Sequence, residues 1–164
     1  MQRRKAVVMG AGGLVAQRLQ QRLVNHPWFE LAAVVGSSRY LGCGLEKVPW
    51  GLDEDRPELP ALTVGDITDP DTAQTLARGG VTVAFSALPA NEAKTLEPMW
   101  SNAGITVFSN ASAFRRHPGV PLVIPEVNPK ALKAPLKHAC ATNCTLLPLV
   151  LPCAALDASF GIAA

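Results

Sequence analysis

Charge, histidine and closely paired cysteines are all scarce in this sequence, and each scarcity narrows the possibilities. Charged residues make up 17% of the 164 residues and the net charge is +2. That is too little to build a phosphate-tracking surface for nucleic acid or a basic face for an anionic membrane. The one dense basic run, Gln2 to Lys5, reads as a solvated lead-in. Low charge does not mean disorder here, because 48% of the residues are hydrophobic. No apolar run reaches the length of a bilayer span, and the amino end lacks the apolar region of a secretory signal. The expectation is a soluble, cytoplasmic protein. Paired CxxC spacing is absent too. Cys43, Cys140, Cys144 and Cys153 match neither a zinc pattern nor a small secreted disulfide framework, so no metal is expected and the thiols are read as reduced.

What is present is an alternation of short apolar runs with helical patterns. "KAVVMG" reads as a buried strand ending in glycine, and "LVAQRLQQRLVNH" places Leu14, Val15, Leu19, Leu23 and Val24 at mainly helical spacing. "FELAAVVG" is a second strand, completing a βαβ unit whose crossover should be right-handed. Residues 37–60 are rich in Gly, Pro and charge and should lie irregularly over the sheet edge. A short strand is expected in "ALTVGD", then a helix in "DPDTAQTLARGG", a strand in "VTVAFSALP" and a helix in "NEAKTLEPMWSNAG". "ITVFSN" is a strand, "PLVIPEVN" an extended segment, and "HACATN" a last strand before a helix from Cys144 to about Ala158. The pattern predicts an α/β fold: a doubly wound, mostly parallel, Rossmann-like sheet.

Two stretches carry chemistry. "GAGGLVA" follows a strand and opens a helix, the context in which a glycine loop cradles a pyrophosphate. Gly10, Gly12 and Gly13 allow the tight turn and close backbone approach, and Ala16 lets helix and strand pack. The second strand runs into Ser37, Ser38 and Arg39 rather than an acidic residue. Hydroxyls with a guanidinium suit a ribose 2′-phosphate, so NADP is favoured over NAD. In "ATNCTLLP", Cys144 follows Asn143 at a strand-to-helix turn, where the helix dipole would favour a thiolate.

Together with "NHPWFELAAVVGSSR", "VAFSALP", "VFSNASAFRRHPGVPLVIPEVNP" and "LVLPCAALDASFGI", these stretches resemble the aspartate-semialdehyde dehydrogenase family in its fungal and archaeal branch. The resemblance runs from about Val7 to Ile162, and "SALP" and "SNAS" ahead of "VPLVIPEVNP" are its most specific parts. It implies an NADP-dependent enzyme that interconverts aspartate semialdehyde and aspartyl phosphate through a cysteine thioester, in amino-acid biosynthesis. Residue by residue, it implies that Gly10, Gly12, Gly13, Leu14 and Val15 hold the pyrophosphate and that Ser37, Ser38 and Arg39 hold the 2′-phosphate. Ser86, Ala87, Leu88 and Pro89 would line the cofactor channel. Asn110, Arg115 and Asn143 would bind the small-molecule substrate or its phosphate, Asn143 standing directly before the nucleophile Cys144. A homo-oligomer is compatible with the resemblance but not specified by this segment.

The departures are local. Gly12 stands where the family usually has threonine, Ala16 where it has glycine, and Leu146, Leu147 and Pro148 where it has small residues. The family's general base is a histidine in the second domain, whereas His26, His117 and His138 all precede Cys144. His138 reads as an ordinary strand residue. The resemblance thus implies a dinucleotide-binding domain in residues 1–142 and the start of the catalytic domain, the nucleophile helix, in 143–164, cut before the acid–base half and inactive or slow alone. Two alternatives stand beside it: a non-catalytic NADP-binding module or pseudoenzyme, and an N-acetyl-glutamyl-phosphate reductase-like enzyme. The latter normally has glycine where this chain has Asn143.

Overall fold

Strand β1 (Arg4–Met9), helix α1 (Leu14–Leu23) and strand β2 (Phe29–Gly36) form the first βαβ unit of a computed structural model that describes residues 2–162. The chain continues through β3 (Gly65–Asp66), α2 (Pro70–Arg78), β4 (Val81–Ser86), α3 (Ala90–Asn102) and β5 (Thr106–Ser109). It ends with β6 (Leu122–Val123), β7 (His138–Ala141) and α4 (Leu147–Phe160). The seven strands lie in the order β3-β2-β1-β4-β5-β7-β6, and every pairing between them is parallel. Strand order reverses between β1 and β4, so the crevice beyond the carboxyl ends of those strands is the natural ligand position of such a sheet.

Apolar side chains lie on both faces of the sheet, as its parallel strands suggest, but the α1 side leaves Phe85 and Phe108 half-buried beside an apolar cavity over β4, β5 and β7. Val7, Met9, Val35, Trp100 and Ile105 belong to the core on one side, beneath α2 and α3. Val8, Leu31 and Val34 belong to the other, with α1 and the loop residues Leu45 and Val48. The Gly- and Pro-rich segment after β2 is therefore irregular but anchored, with Leu45 and Val48 each 1% exposed. Helix α2 begins as its sequence suggests. The Asp69 carboxylate accepts hydrogen bonds from the backbone N–H groups of Asp71 and Thr72, and Pro70 occupies the first turn. No helix among the described residues is long and apolar enough to cross a membrane.

Four expectations need correction. The strand in "ALTVGD" contracts to Gly65–Asp66, and the extended "PLVIPEVN" contracts to Leu122–Val123. Pro121 and Pro125 bracket the latter, and neither can donate to a ladder. On α1, Leu14 and Val15 do not join the buried face but are 58% and 48% exposed, while Gln17 and Gln20 are buried. Lastly, α4 starts at Leu147 rather than Cys144. A helix through Cys144 would need Pro148 to donate to the Cys144 carbonyl, and proline has no N–H. Cys144 to Leu146 instead form a turn, with the N–H groups of Leu146 and Leu147 both donating to the Asn143 carbonyl. Of the expected segment 143–164, Ala163 and Ala164 lie outside the described residues.

Candidate cofactor and nucleophile site

The glycine loop leaves β1 at Gly10, whose φ of +107° belongs to a region that L side chains rarely adopt. A Cβ there would meet the Ala87 carbonyl oxygen at 3.4 Å, so the loop passes close to the backbone at the end of β4. At Gly13 the space is open, and α1 begins there with no side-chain cap on its first N–H groups. Uncapped donors beside open space fit a pyrophosphate. The loop is held from below by the two buried glutamines. Gln20 Nε2 donates to the Ala11 carbonyl at 3.0 Å, and Gln17 Nε2 donates to the Gly12 carbonyl at 2.9 Å. Gln17 also receives the N–H of Gly51 and donates to the Pro49 carbonyl, pinning the loop after β2 to the phosphate loop. Sequence periodicity misses these residues because glutamine at a helical core position looks like the polar face.

Past β2, Ser37, Ser38 and Arg39 are exposed, and Arg39 lies over the neighbouring Tyr40 ring at 5.1 Å from its centroid. Tyr40 explains one departure in the glycine loop. A Cβ on Gly12 would stand 2.7 Å from Tyr40 Cε2, so the ring occupies the place a threonine side chain would take.

Farther along the switch crevice, the strand ends are laced together. The Ala87 N–H donates to the Met9 carbonyl, and the Asn110 N–H to the Ser86 carbonyl. Arg115 then bridges to β7: its Nε donates to the Ala141 carbonyl at 3.0 Å and its Nη2 to the Asn110 carbonyl at 2.8 Å. A longer contact of 3.3 Å reaches the Thr142 carbonyl. Asn143 organises the next turn, its Oδ1 accepting from the N–H and hydroxyl of Thr145 at 2.8 and 2.7 Å. The exposed Cys144 sulfur lies 3.6 Å from the same oxygen.

These elements enclose a cavity of about 210 Å³ lined by Val15, Ala87, Leu88, Asn110, Arg115, Thr142, Asn143 and Cys144. All of these except Thr142 are residues expected from the sequence, and they come from α1, the β4 end, the β5 end and the β7 turn. Of the glycine loop and its helix only Val15 lines the cavity; Gly10, Gly12 and Gly13, like Ser37 to Arg39 beyond β2, are outside its lining. Pro89 is exposed at the start of α3. Ser86 is buried, outside this cavity's lining, and its hydroxyl donates to Glu97 Oε1 at 2.6 Å. Among the described residues no histidine, lysine or acidic side chain lines the cavity.

The two nearest cysteines differ sharply. Cys140 is 1% exposed, and burial, reinforced by the nearby Glu97 carboxylate, pushes its thiol up from 9.0 to about 11. It is protonated and inert at neutral pH, while Cys144 is open to solvent.

His138 corrects a further expectation. Far from being an ordinary strand residue, it is buried with its Nε2 3.0 Å from Glu97 Oε2, and its ring packs edge-on against Phe114.

Residues 5–134 match the NAD-binding domain of the semialdehyde dehydrogenases. The chain belongs to the semialdehyde dehydrogenase family. The aspartate-semialdehyde dehydrogenase of Methanothermobacter thermautotrophicus is 47% identical over 130 residues, covering 76% of this chain and 35% of that protein. The Aspergillus fumigatus aspartate-semialdehyde dehydrogenase is 35% identical and matches 97% of this chain but 46% of its own length. Among solved structures, the Candida albicans aspartate semialdehyde dehydrogenase with NADP superposes with a TM-score of 0.86 at 33% identity. That likeness covers 98% of this chain and 48% of the Candida chain. This semialdehyde dehydrogenase segment thus spans about half or less of the relatives it matches. A Rex-family repressor, 14% identical with a TM-score of 0.56, shares the fold alone.

Proposed function

We propose that this chain is the NADP-binding, nucleophile-bearing part of a semialdehyde dehydrogenase of the aspartate-semialdehyde type, with Cys144 as the acyl-accepting nucleophile. The observation that carries the reading is the shared cavity, in which an exposed thiol, an arginine and the end of the glycine-loop helix meet. Gly10, Gly12, Gly13, Leu14 and Val15 would hold the pyrophosphate, and Ser37, Ser38 and Arg39 the 2′-phosphate. When bound, NADP supplies the hydride acceptor that takes a sulfur-bound adduct to a thioester.

The chain's own residues would supply the nucleophile and the positive charge on the phosphate side. The Cys144 thiolate adds to the aldehyde carbon, forming a carbon–sulfur bond while the carbonyl oxygen takes up the charge. Phosphate attack on the thioester breaks that bond, returns the thiolate and releases an acyl phosphate. Arg115, fixed by three carbonyls, holds a positive charge at the cavity wall where the phosphate would arrive. Asn143 keeps the Cys144 turn in place through Thr145.

One observation favours a second reading. The cavity lining contains no side chain suited to general-base work, which suits a cofactor-binding module without turnover. Aspartate semialdehyde, NADP and phosphate mixed with purified protein separate the two, with reduced cofactor followed by absorbance. Turnover lost in Cys144→Ser supports the enzyme; NADPH binding without turnover leaves the module. Arg39→Ala should weaken NADPH far more than NADH, and equal weakening of both would remove the 2′-phosphate role.

A further inference from the structure

Glu97 is the only carboxylate in the buried core of the described residues, at 0% exposure in the middle of α3. Taking a carboxylate out of water is costly unless donors surround it. Here the polar groups around it come from three different strands. Glu97 Oε1 accepts from the hydroxyls of Ser86 on β4 and Ser109 on β5, both at 2.6 Å. Glu97 Oε2 faces His138 Nε2 on β7 at 3.0 Å, a close contact that lies outside hydrogen-bond alignment. Ser86, Ser109 and His138 are themselves 1%, 2% and 9% exposed, so the whole cluster is shielded from solvent.

Each of these contacts is made to a strand that leads into the site. Ser86 is the last residue of β4 and runs directly into Ala87 and Leu88. Ser109 is the last residue of β5 and runs into Asn110, and its hydroxyl also accepts from the N–H of Ala111. β7 runs from His138 to the Cys144 turn, and the His138 ring packs on Phe114, next to Arg115. Ser86 and Ser109 are register partners, and Cys140 is the partner of Ser109, so the grip lies across adjacent strand ends. A single side chain thereby ties together the strands that deliver the cofactor loop, the phosphate-side segment and the nucleophile. The ladders already space the strands, but an apolar residue of the same volume would leave the Ser86 and Ser109 hydroxyls at the strand ends without their acceptor.

We propose that Glu97 is a positioning residue of the site: its carboxylate holds the strand ends that lead into Ala87–Leu88, Asn110–Arg115 and Cys144 from beneath the sheet. This role rests on the proposed cofactor and nucleophile site. Glu97 touches neither substrate nor cofactor and acts through Ser86, Ser109 and His138.

The test uses the whole chain, with NADPH affinity from fluorescence titration and the rate of Cys144 alkylation by iodoacetamide. Both are read well below the thermal midpoint of each variant. Glu97→Met keeps the volume and removes the acceptors; it should weaken NADPH by about tenfold or more, the equivalent of losing a hydrogen bond to a charged group. Glu97→Gln retains an oxygen that accepts from both serines, and should return affinity to within about threefold of the parent. If Glu97→Met does not fold, Ser109→Ala carries the test, with the same direction of loss. A folded Glu97→Met or Ser109→Ala that binds NADPH and alkylates at parental rates overturns the proposal, even if it melts earlier. Failure of Glu97→Gln to recover affinity while folding normally also overturns it. The parent chain is the control: absence of NADPH binding there defeats the functional reading itself, not the role of Glu97.

Discussion

Cys140 and Cys144 stand at one strand end in opposite surroundings, the first buried with its thiol pushed up, the second open beside Asn143. Cys144, Arg115 and the three loop glycines are legible in the sequence because their chemistry shows in residue type and order. Gln17, Gln20, Glu97 and His138 are not. A polar residue at a core position has no signature in periodicity, and its partners are distant in the chain. Gly12 falls between these cases: the residue is legible, but its reason, the Tyr40 ring, comes only with the fold. Gly12→Thr should push that ring aside and weaken NADPH by about tenfold, since overpacking at a tight site costs on the order of 1–3 kcal/mol. The double variant Gly12→Thr with Tyr40→Ala should bind more tightly than Gly12→Thr alone. Equal affinity of the single variant and the parent, by titration, would show that Tyr40 does not constrain the loop.

At the level of elements, the long apolar strands are readable because a parallel sheet with apolar side chains on both faces shows continuous apolar runs. The short strands β3 and β6 are shorter than their composition suggests, and around β6 proline punctuation limits the pairing. Helix α3 is the main structural fastener. Its Trp100 is fully buried and donates from Nε1 to the Ile67 carbonyl at 3.0 Å, joining the helix to the loop before α2. Trp100→Ala should cost about 3–5 kcal/mol of stability in denaturant titrations, the range for emptying an aromatic core site. A loss below about 1 kcal/mol would mean that the site collapses around the void. At the start of α4, Pro148 has no N–H to give the Cys144 carbonyl, and Cys144 lies in a turn ahead of the helix.

For the molecule as a whole, the sheet and its packed helices carry the core, while α4 stands apart from that core. None of its residues is buried, and Leu147, Leu149, Leu156 and Phe160 are all exposed. An apolar helix without a covered face favours association. The purified chain should therefore show a mass that rises with concentration in light scattering; a monodisperse monomer throughout would contradict this. If cofactor groove and nucleophile share one cavity at the switch crevice, bound cofactor must shield the thiol. The most direct check is mass-spectrometric alkylation of the four cysteines with and without saturating NADPH. NADPH should slow modification of Cys144 and leave Cys43 and Cys153 unchanged. A Cys144 rate unaffected by bound NADPH would contradict the shared cavity.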